Sequence, residues 1–135
     1  MTDLPTPVAV PNALPPQGHY SLAIRHGRLV HVSGQLPVRP DGSHTADLSF
    51  EDQVRQAMAN LLNVLAHAGL GPQHLVKVTA YIVGVANWPA LNAIYGEIMG
   101  AARPARSVVP VPELHYGYLV EIDAMAAAPG AGEHS

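Results

Sequence analysis

The clearest pattern lies in the middle of the chain. Val54, Met58, Leu61, Leu65 and Ala68 recur at intervals of three and four, which gathers them into one apolar stripe of a helix. Ser49 predicts the N-cap of that helix, Asp52 stands in the capping-box position, and Gly69 predicts a left-handed stop. Then the period changes. From Leu75 to Val83 the chain alternates, placing Val76, Val78, Ala80 and Ile82 on one face of a strand and Lys77, Thr79, Tyr81 and Val83 on the other. A second helix is predicted from about Asn87, with Pro89 in the first turn, where a missing N–H costs nothing. Trp88, Leu91, Ile94, Tyr95 and Ile98 supply its buried face, and Gly100 ends it.

Strands flank this centre. Tyr20–Arg25 and Leu29–Ser33 predict a pair around a His26-Gly27 turn, and Pro40-Asp41-Gly42 marks a further turn. Arg106–Val111 and Tyr118–Ala126 predict two more strands, joined through His115-Tyr116-Gly117. Pro110 and Pro112 withhold donors on one side, so that strand end is a sheet edge or a bulge. In the last strand Tyr118, Val120, Ile122, Ala124 and Ala126 line one face, and Leu119, Glu121, Asp123 and Met125 the other. The order β-β-α-β-α-β-β predicts an α+β domain with a mixed sheet and both helices on one face. Crossovers through the helices want parallel strands, and the two end pairs suit antiparallel hairpins. Leu29, Val109 and Val111 make the opposite face partly apolar, so a homo-oligomer is expected. Five prolines in residues 1–17 predict an extended arm lying on the body, residues 18–128 a single domain, and residues 129–135 a flexible tail.

Composition narrows the class. With 48% hydrophobic and 13% charged residues over 135 positions, the chain is that of a globular domain, not a charged disordered one. No cysteine is present, which excludes disulfides, thiolate metal sites and a cysteine nucleophile. A net charge of −3, with only seven Lys and Arg, leaves no basic footprint for nucleic acid. No apolar run is long enough to span a membrane, and Met1-Thr2-Asp3-Leu4 lacks a signal-like start, so a cytoplasmic location is expected.

The candidate chemistry is sparse. Eight histidines are scattered without zinc-type spacing, so no metal is expected. Ser33 lacks the frame of a serine-hydrolase nucleophile, and Gly69-Leu70-Gly71-Pro72 is a helix stop, not a phosphate loop. Two charges stand out by their company: Arg106 opens the otherwise apolar Ser107-Val108-Val109, and Glu121 sits within Leu119-Val120-Glu121-Ile122. Either they face solvent or pair with each other, or an Arg fork binds a planar carboxylate while the Glu handles a water or proton.

At these residues the sequence resembles a known family. Gly18-x-Tyr20-Ser21 and Val32-Ser33-Gly34-Gln35-Leu36-Pro37 are similar to the first signature of the Rid (reactive intermediate deaminase) or YjgF family, also filed as L-PSP endoribonuclease or translation initiation inhibitor. Gln53-x-x-Gln56-Ala57-x-x-Asn60-Leu61, Ala68-Gly69, Val76-Lys77-Val78-Thr79 and Asn92-x-x-Tyr95 match its middle. Pro104-Ala105-Arg106-Ser107 and Leu119-Val120-Glu121-Ile122 match its end, and the ordered set runs from about residue 18 to 127.

The resemblance implies a chorismate-mutase-like fold, a homotrimer with clefts between subunits, and hydrolysis without a cofactor. The substrates would be 2-enamine or 2-imino acids of the 2-aminoacrylate type, and the products 2-keto acids and ammonia. It implies that Arg106 binds the substrate carboxylate and that Tyr20, Ser33, Gly34 and Glu121 line the same cleft. Val108 stands where many members carry Cys, so backbone would serve there; Leu22 replaces a common Gln or His; and the loop from Pro112 to Tyr118 is more aromatic than usual. The alternative is a binding or sensing module that holds keto acids or small carboxylates without turnover, again through Arg106. The ribonuclease label suits the charge poorly.

Overall fold

The computed structural model describes residues 4–130; Met1, Thr2, Asp3 and the tail from residue 131 onward lie outside the described residues, and with them most of the tail expected over 129–135. Six strands form one mixed sheet: β1 (Thr6–Pro7), β2 (Ala23–His26), β3 (Leu29–Gln35), β4 (Leu75–Val83), β5 (Ala105–Val111) and β6 (Val120–Ala127), in the order β1-β2-β3-β6-β4-β5. The helices are α1 (Phe50–His67) and α2 (Trp88–Met99).

Helix α1 starts as its sequence predicts. The Ser49 hydroxyl accepts from the Asp52 N–H at 3.1 Å, and at the other end Gly69 turns left-handed at φ 79°. The Arg25 guanidinium, reaching from β2, donates to the Ala68 carbonyl just past the last turn at 2.5 Å. Phe50, Gln53, Val54, Ala57, Met58, Leu61, Val64 and Leu65 are its buried residues, against Val30 and Val32 of β3 and Val120, Ile122, Ala124 and Ala126 of β6. Helix α2 adds Leu91, Ile94, Tyr95 and Met99 to that core; Met99 is buried where Ile98 was expected, and Ile98 packs at its margin.

Three expectations are corrected. First, Val76 is exposed, because the β4–β6 register shifts between Leu75 and Lys77 and turns Leu75 inward instead. Second, β2 begins at Ala23; Tyr20 lies in an irregular approach and not in a strand. Third, β5 and β6 are not a hairpin. Strand β6 inserts between β3 and β4, antiparallel to both, while β5 pairs parallel with β4 as the outer strand. With four residues of one face fully in the core, β6 gains a neighbour on each side by sitting centrally, and the edge goes to β5, whose Pro110 cannot donate.

Register fixes which side chains share a face. Arg106 and Val108 align with Val78 and Ala80, which are buried beneath the helices. Glu121 aligns with Tyr81 and Asp123 with Thr79, on the face that no helix covers. Leu29 and Val109 are exposed on that same face. The arm is more than a drape: Thr6 and Pro7 extend the sheet beside β2, and Asn12 and Asn63 exchange reciprocal side-chain hydrogen bonds at 3.2 and 3.0 Å, tying the arm to α1.

Candidate active site

A bulge in β3 makes the site. Between Val32 and Gln35 the pairing with β6 shifts, and Ser33 and Gly34 fall in the gap. There the Glu121 carboxylate lies directly over the Gly34 backbone. A Cβ at position 34 would stand 2.5 Å from Glu121 Oε2 and 3.0 Å from its Cδ, so only glycine leaves the carboxylate where it is. The Ser33 hydroxyl donates to the Ser21 carbonyl at 2.6 Å, and the Ser33 N–H donates to the Leu22 carbonyl at 2.9 Å, which clamps the bulge to the segment carrying Tyr20.

Above this floor opens a cavity of about 530 Å³ whose lining includes Tyr20, Leu22, Ser33, Gly34 and Glu121. The arm contributes Leu14 and Gln17, and the loop after β3 contributes Leu36 and Val38. Asn60 of α1 holds that loop by donating to the Leu36 and Val38 carbonyls at 3.0 and 2.8 Å. The Glu121 carboxyl is pushed above the usual carboxylate value by its burial and, second, by the nearby Asp123 charge; His115 acts in the opposite sense. A half-buried carboxyl raised in this way is suited to accepting a proton from water or returning one.

The chain thus brings Tyr20, Ser33, Gly34 and Glu121 to one cavity. It does not bring Arg106 or Val108 there. Arg106 lies on the other face of the sheet, its guanidinium 5.1 Å from the centre of the Tyr95 ring of α2, so it does not pair with Glu121 within one chain. Val108 packs at the margin of the helix-covered core. Sequence reasoning missed the arm and Asn60 as cavity walls, whereas His115 and Tyr116 belong to the aromatic loop that it singled out. A signal existed for Asn60, a polar residue one position before the buried Leu61 in an amphipathic helix, and none for the arm, whose docking position depends on the tertiary fold. Among the described residues no group of three or more His, Asp or Glu is arranged to hold a metal ion. None of the described helices is long and apolar enough to cross a membrane.

Comparison with known proteins places these features in context. The profile of the family described as endoribonuclease L-PSP matches residues 10–128. A RutC family protein of Pyrococcus horikoshii is 35% identical over 115 residues, which are 85% of this chain and 91% of that protein. The crystal structure of YyfA from Yersinia pestis, a protein of unknown function of the Rid family, matches with a TM-score of 0.88 at 35% identity, covering 93% of this chain and 100% of that one. TdcF of E. coli, solved with bound serine, matches with a TM-score of 0.83 at 28% identity, over 90% and 98% of the two chains.

Proposed function

The chain belongs to the Rid family, the YjgF, RutC or L-PSP group, and from that premise we propose that it hydrolyses reactive 2-enamine and 2-imino acids to 2-keto acids and ammonia. The observation that carries this reading is the Glu121 carboxyl, raised in pKa and seated over Gly34 at the floor of a cavity that also holds Tyr20 and Ser33.

The chemistry asks little of a protein. A 2-enamine such as 2-aminoacrylate takes a proton at C3 and becomes the 2-iminium acid, whose C2 is already electrophilic. Water adds to C2 while Glu121 takes the proton that water releases, and a C–O bond forms. The resulting carbinolamine then collapses: Glu121 returns the proton to nitrogen, the C–N bond breaks with its electron pair on nitrogen, ammonia leaves as the oxygen lone pair forms the carbonyl, and the hydroxyl proton passes to solvent, balancing the one taken up at C3. Orientation of the substrate and of one water provides most of what is needed.

Orientation requires a partner for the carboxylate. Arg106 has the planar fork for it but stands on the opposite face from Glu121 of its own chain. The reading therefore includes a homotrimer in which Arg106 of one copy reaches the Glu121 cavity of the next. The uncovered sheet face, with Leu29 and Val109 exposed, supports such an assembly. The serine bound to TdcF, itself a small amino acid with a carboxylate, is consistent with a ligand of this class.

The test is release of ammonia and pyruvate from 2-aminoacrylate generated in situ, with light scattering on the same sample. Turnover by a species of three times the 14.2 kDa chain mass is expected. An active monomer would overturn the shared site. Keto-acid binding without any acceleration of release would instead identify a sensing module of the same fold.

A further inference from the structure

The guanidinium that the proposed site needs is held in an unusual way. Arg25, Arg28, Arg39 and Arg55 each donate to a carbonyl, a hydroxyl or a carboxylate of the protein. Among the described residues the half-buried Arg106 side chain has no such acceptor. It lies instead against the face of the Tyr95 ring, 5.1 Å from the centroid. Its N–H donors are therefore uncommitted within the chain. A long side chain in that condition samples many rotamers unless something holds it.

The ring has little freedom of its own. Tyr95 lies on α2 one turn from Leu91 on one side and Met99 on the other, all three buried. Its contact with Arg106 is made within one chain, and a second copy can only deepen the burial. The Asn87 side chain at the head of α2 donates to the Val83 carbonyl at 2.9 Å, tying the helix to the end of β4. Strand β4 in turn pairs with β5 without a break, from Lys77 beside Ala105 to Val83 beside Val111. Ring and guanidinium are thus fixed to the same pair of strands. The Tyr95 hydroxyl is buried with no hydrogen-bond partner among the described residues. Burial raises this phenol above its ordinary value, with Arg106 acting in the opposite sense. It stays neutral and offers the cation a π face, not a negative charge.

We infer that Tyr95 is a positioning residue, whose ring face holds the Arg106 guanidinium in one orientation and leaves its donors to a substrate carboxylate. This rests on the reading above, in which Arg106 binds that carboxylate. Tyr95 touches no substrate and acts through Arg106. Without the ring, the guanidinium would have to be ordered as the ligand arrives, and ordering one such side chain weakens binding by about two- to tenfold. Glu121 stands on the opposite face of the sheet, so the chemical step should be kept.

The experiment replaces Tyr95 by Phe, and then by phenylalanines carrying one, two and three ring fluorines. These keep the shape of the ring while draining negative charge from its face, and Tyr95→Leu removes the face altogether. Each protein is titrated calorimetrically with pyruvate and assayed on the 2-imino acid made in situ from alanine by an amino acid oxidase. Tyr95→Phe should bind pyruvate as the wild type does, since the hydroxyl holds nothing. Affinity should then fall stepwise along the fluorine series, reaching a loss of about two- to tenfold that Tyr95→Leu matches. KM should rise in step, with kcat kept. Pyruvate affinity unmoved by fluorination and by Tyr95→Leu overturns the inference. So does a loss in Tyr95→Phe as large as in Tyr95→Leu, or a fall in kcat alone. Either result, with ammonia still released by the wild type, leaves the deaminase reading standing. A graded loss of pyruvate affinity without turnover by the wild type keeps the role of Tyr95 and overturns the deaminase reading. A wild-type protein that neither binds pyruvate nor turns over the imine overturns both.

Discussion

Replacing Gly34 by alanine separates the catalytic arrangement from the fold with one methyl group. The new Cβ would meet Glu121 Oε2 at 2.5 Å, Cδ at 3.0 Å and Cγ at 3.3 Å. Each of these atoms belongs to one side chain, so the strain is relieved by rotating Glu121 away and not by moving backbone. Overpacking a rigid core costs about 1–3 kcal/mol, whereas displacing a single side chain from its rotamer costs nearer 1 kcal/mol. Stability should therefore fall by only about 1 kcal/mol. Activity should fall much further, because a general base contributes about 10²- to 10⁴-fold and acts only within hydrogen-bonding reach of its water. Steady-state ammonia release and thermal unfolding of Gly34→Ala, measured side by side, give both numbers. A variant that unfolds some degrees earlier but turns over at the wild-type rate would refute the assignment of Glu121 as the group that moves the proton.

Further predictions concern other contacts. Glu121→Gln should lower turnover by about 10²–10⁴-fold with keto-acid binding largely kept. Because a base must be unprotonated, and because burial and Asp123 raise this carboxyl, wild-type kcat/KM should fall as pH drops through a midpoint above 4.5, and that acid limb should vanish in Glu121→Gln. Arg106→Ala should abolish 2-keto acid binding and Arg106→Lys weaken it, the loss of a hydrogen-bonded ion pair being about 2–5 kcal/mol; equal titrations for Arg106→Ala and wild type would remove the carboxylate role. Gln53 is fully buried, donates to the Ala46 and Leu48 carbonyls at 3.3 and 3.2 Å, and accepts from the Leu119 N–H at 2.8 Å. Gln53→Leu leaves all three unpaired and should cost about 3 kcal/mol in denaturant unfolding, against under 1 kcal/mol if these groups find water.

The helices and the faces of the strands were legible in the sequence because they follow from local periodicity. The stripe from Val54 to Leu65 and the alternation of Val120, Ile122, Ala124 and Ala126 both appear in the core as read. The neighbour of a strand is a different matter. Nothing in residues 112–119 states that the chain crosses past β4 to put β6 beside β3, since local rules favour pairing consecutive strands. The bulge that exposes Val76 and the one that frames Gly34 are shifts of register between two paired strands, which a single strand's pattern does not carry. Glu121 stood out as a charge within an apolar strand, Ser33 and Gly34 were named as its cleft neighbours from the family resemblance, and their meeting across a bulge gives that naming a physical form. Arg106 reads as a strand-end cation, but its facing Tyr95, away from Glu121, emerges only from the parallel register of β4 and β5.

The central claim is that a hydrolytic site is built from Glu121 of one copy and Arg106 of another, and complementation tests it most directly. Arg106→Ala and Glu121→Gln chains, each nearly inactive alone, would be co-expressed under two affinity tags and the mixed species isolated. If the site spans two chains through a head-to-tail interface, each mixed trimer has one interface of three that unites an intact Glu121 with an intact Arg106, and ammonia release from 2-aminoacrylate by the isolated mixed trimers should recover to about a third of wild type. Mixed assemblies that remain as inactive as either parent would contradict the account.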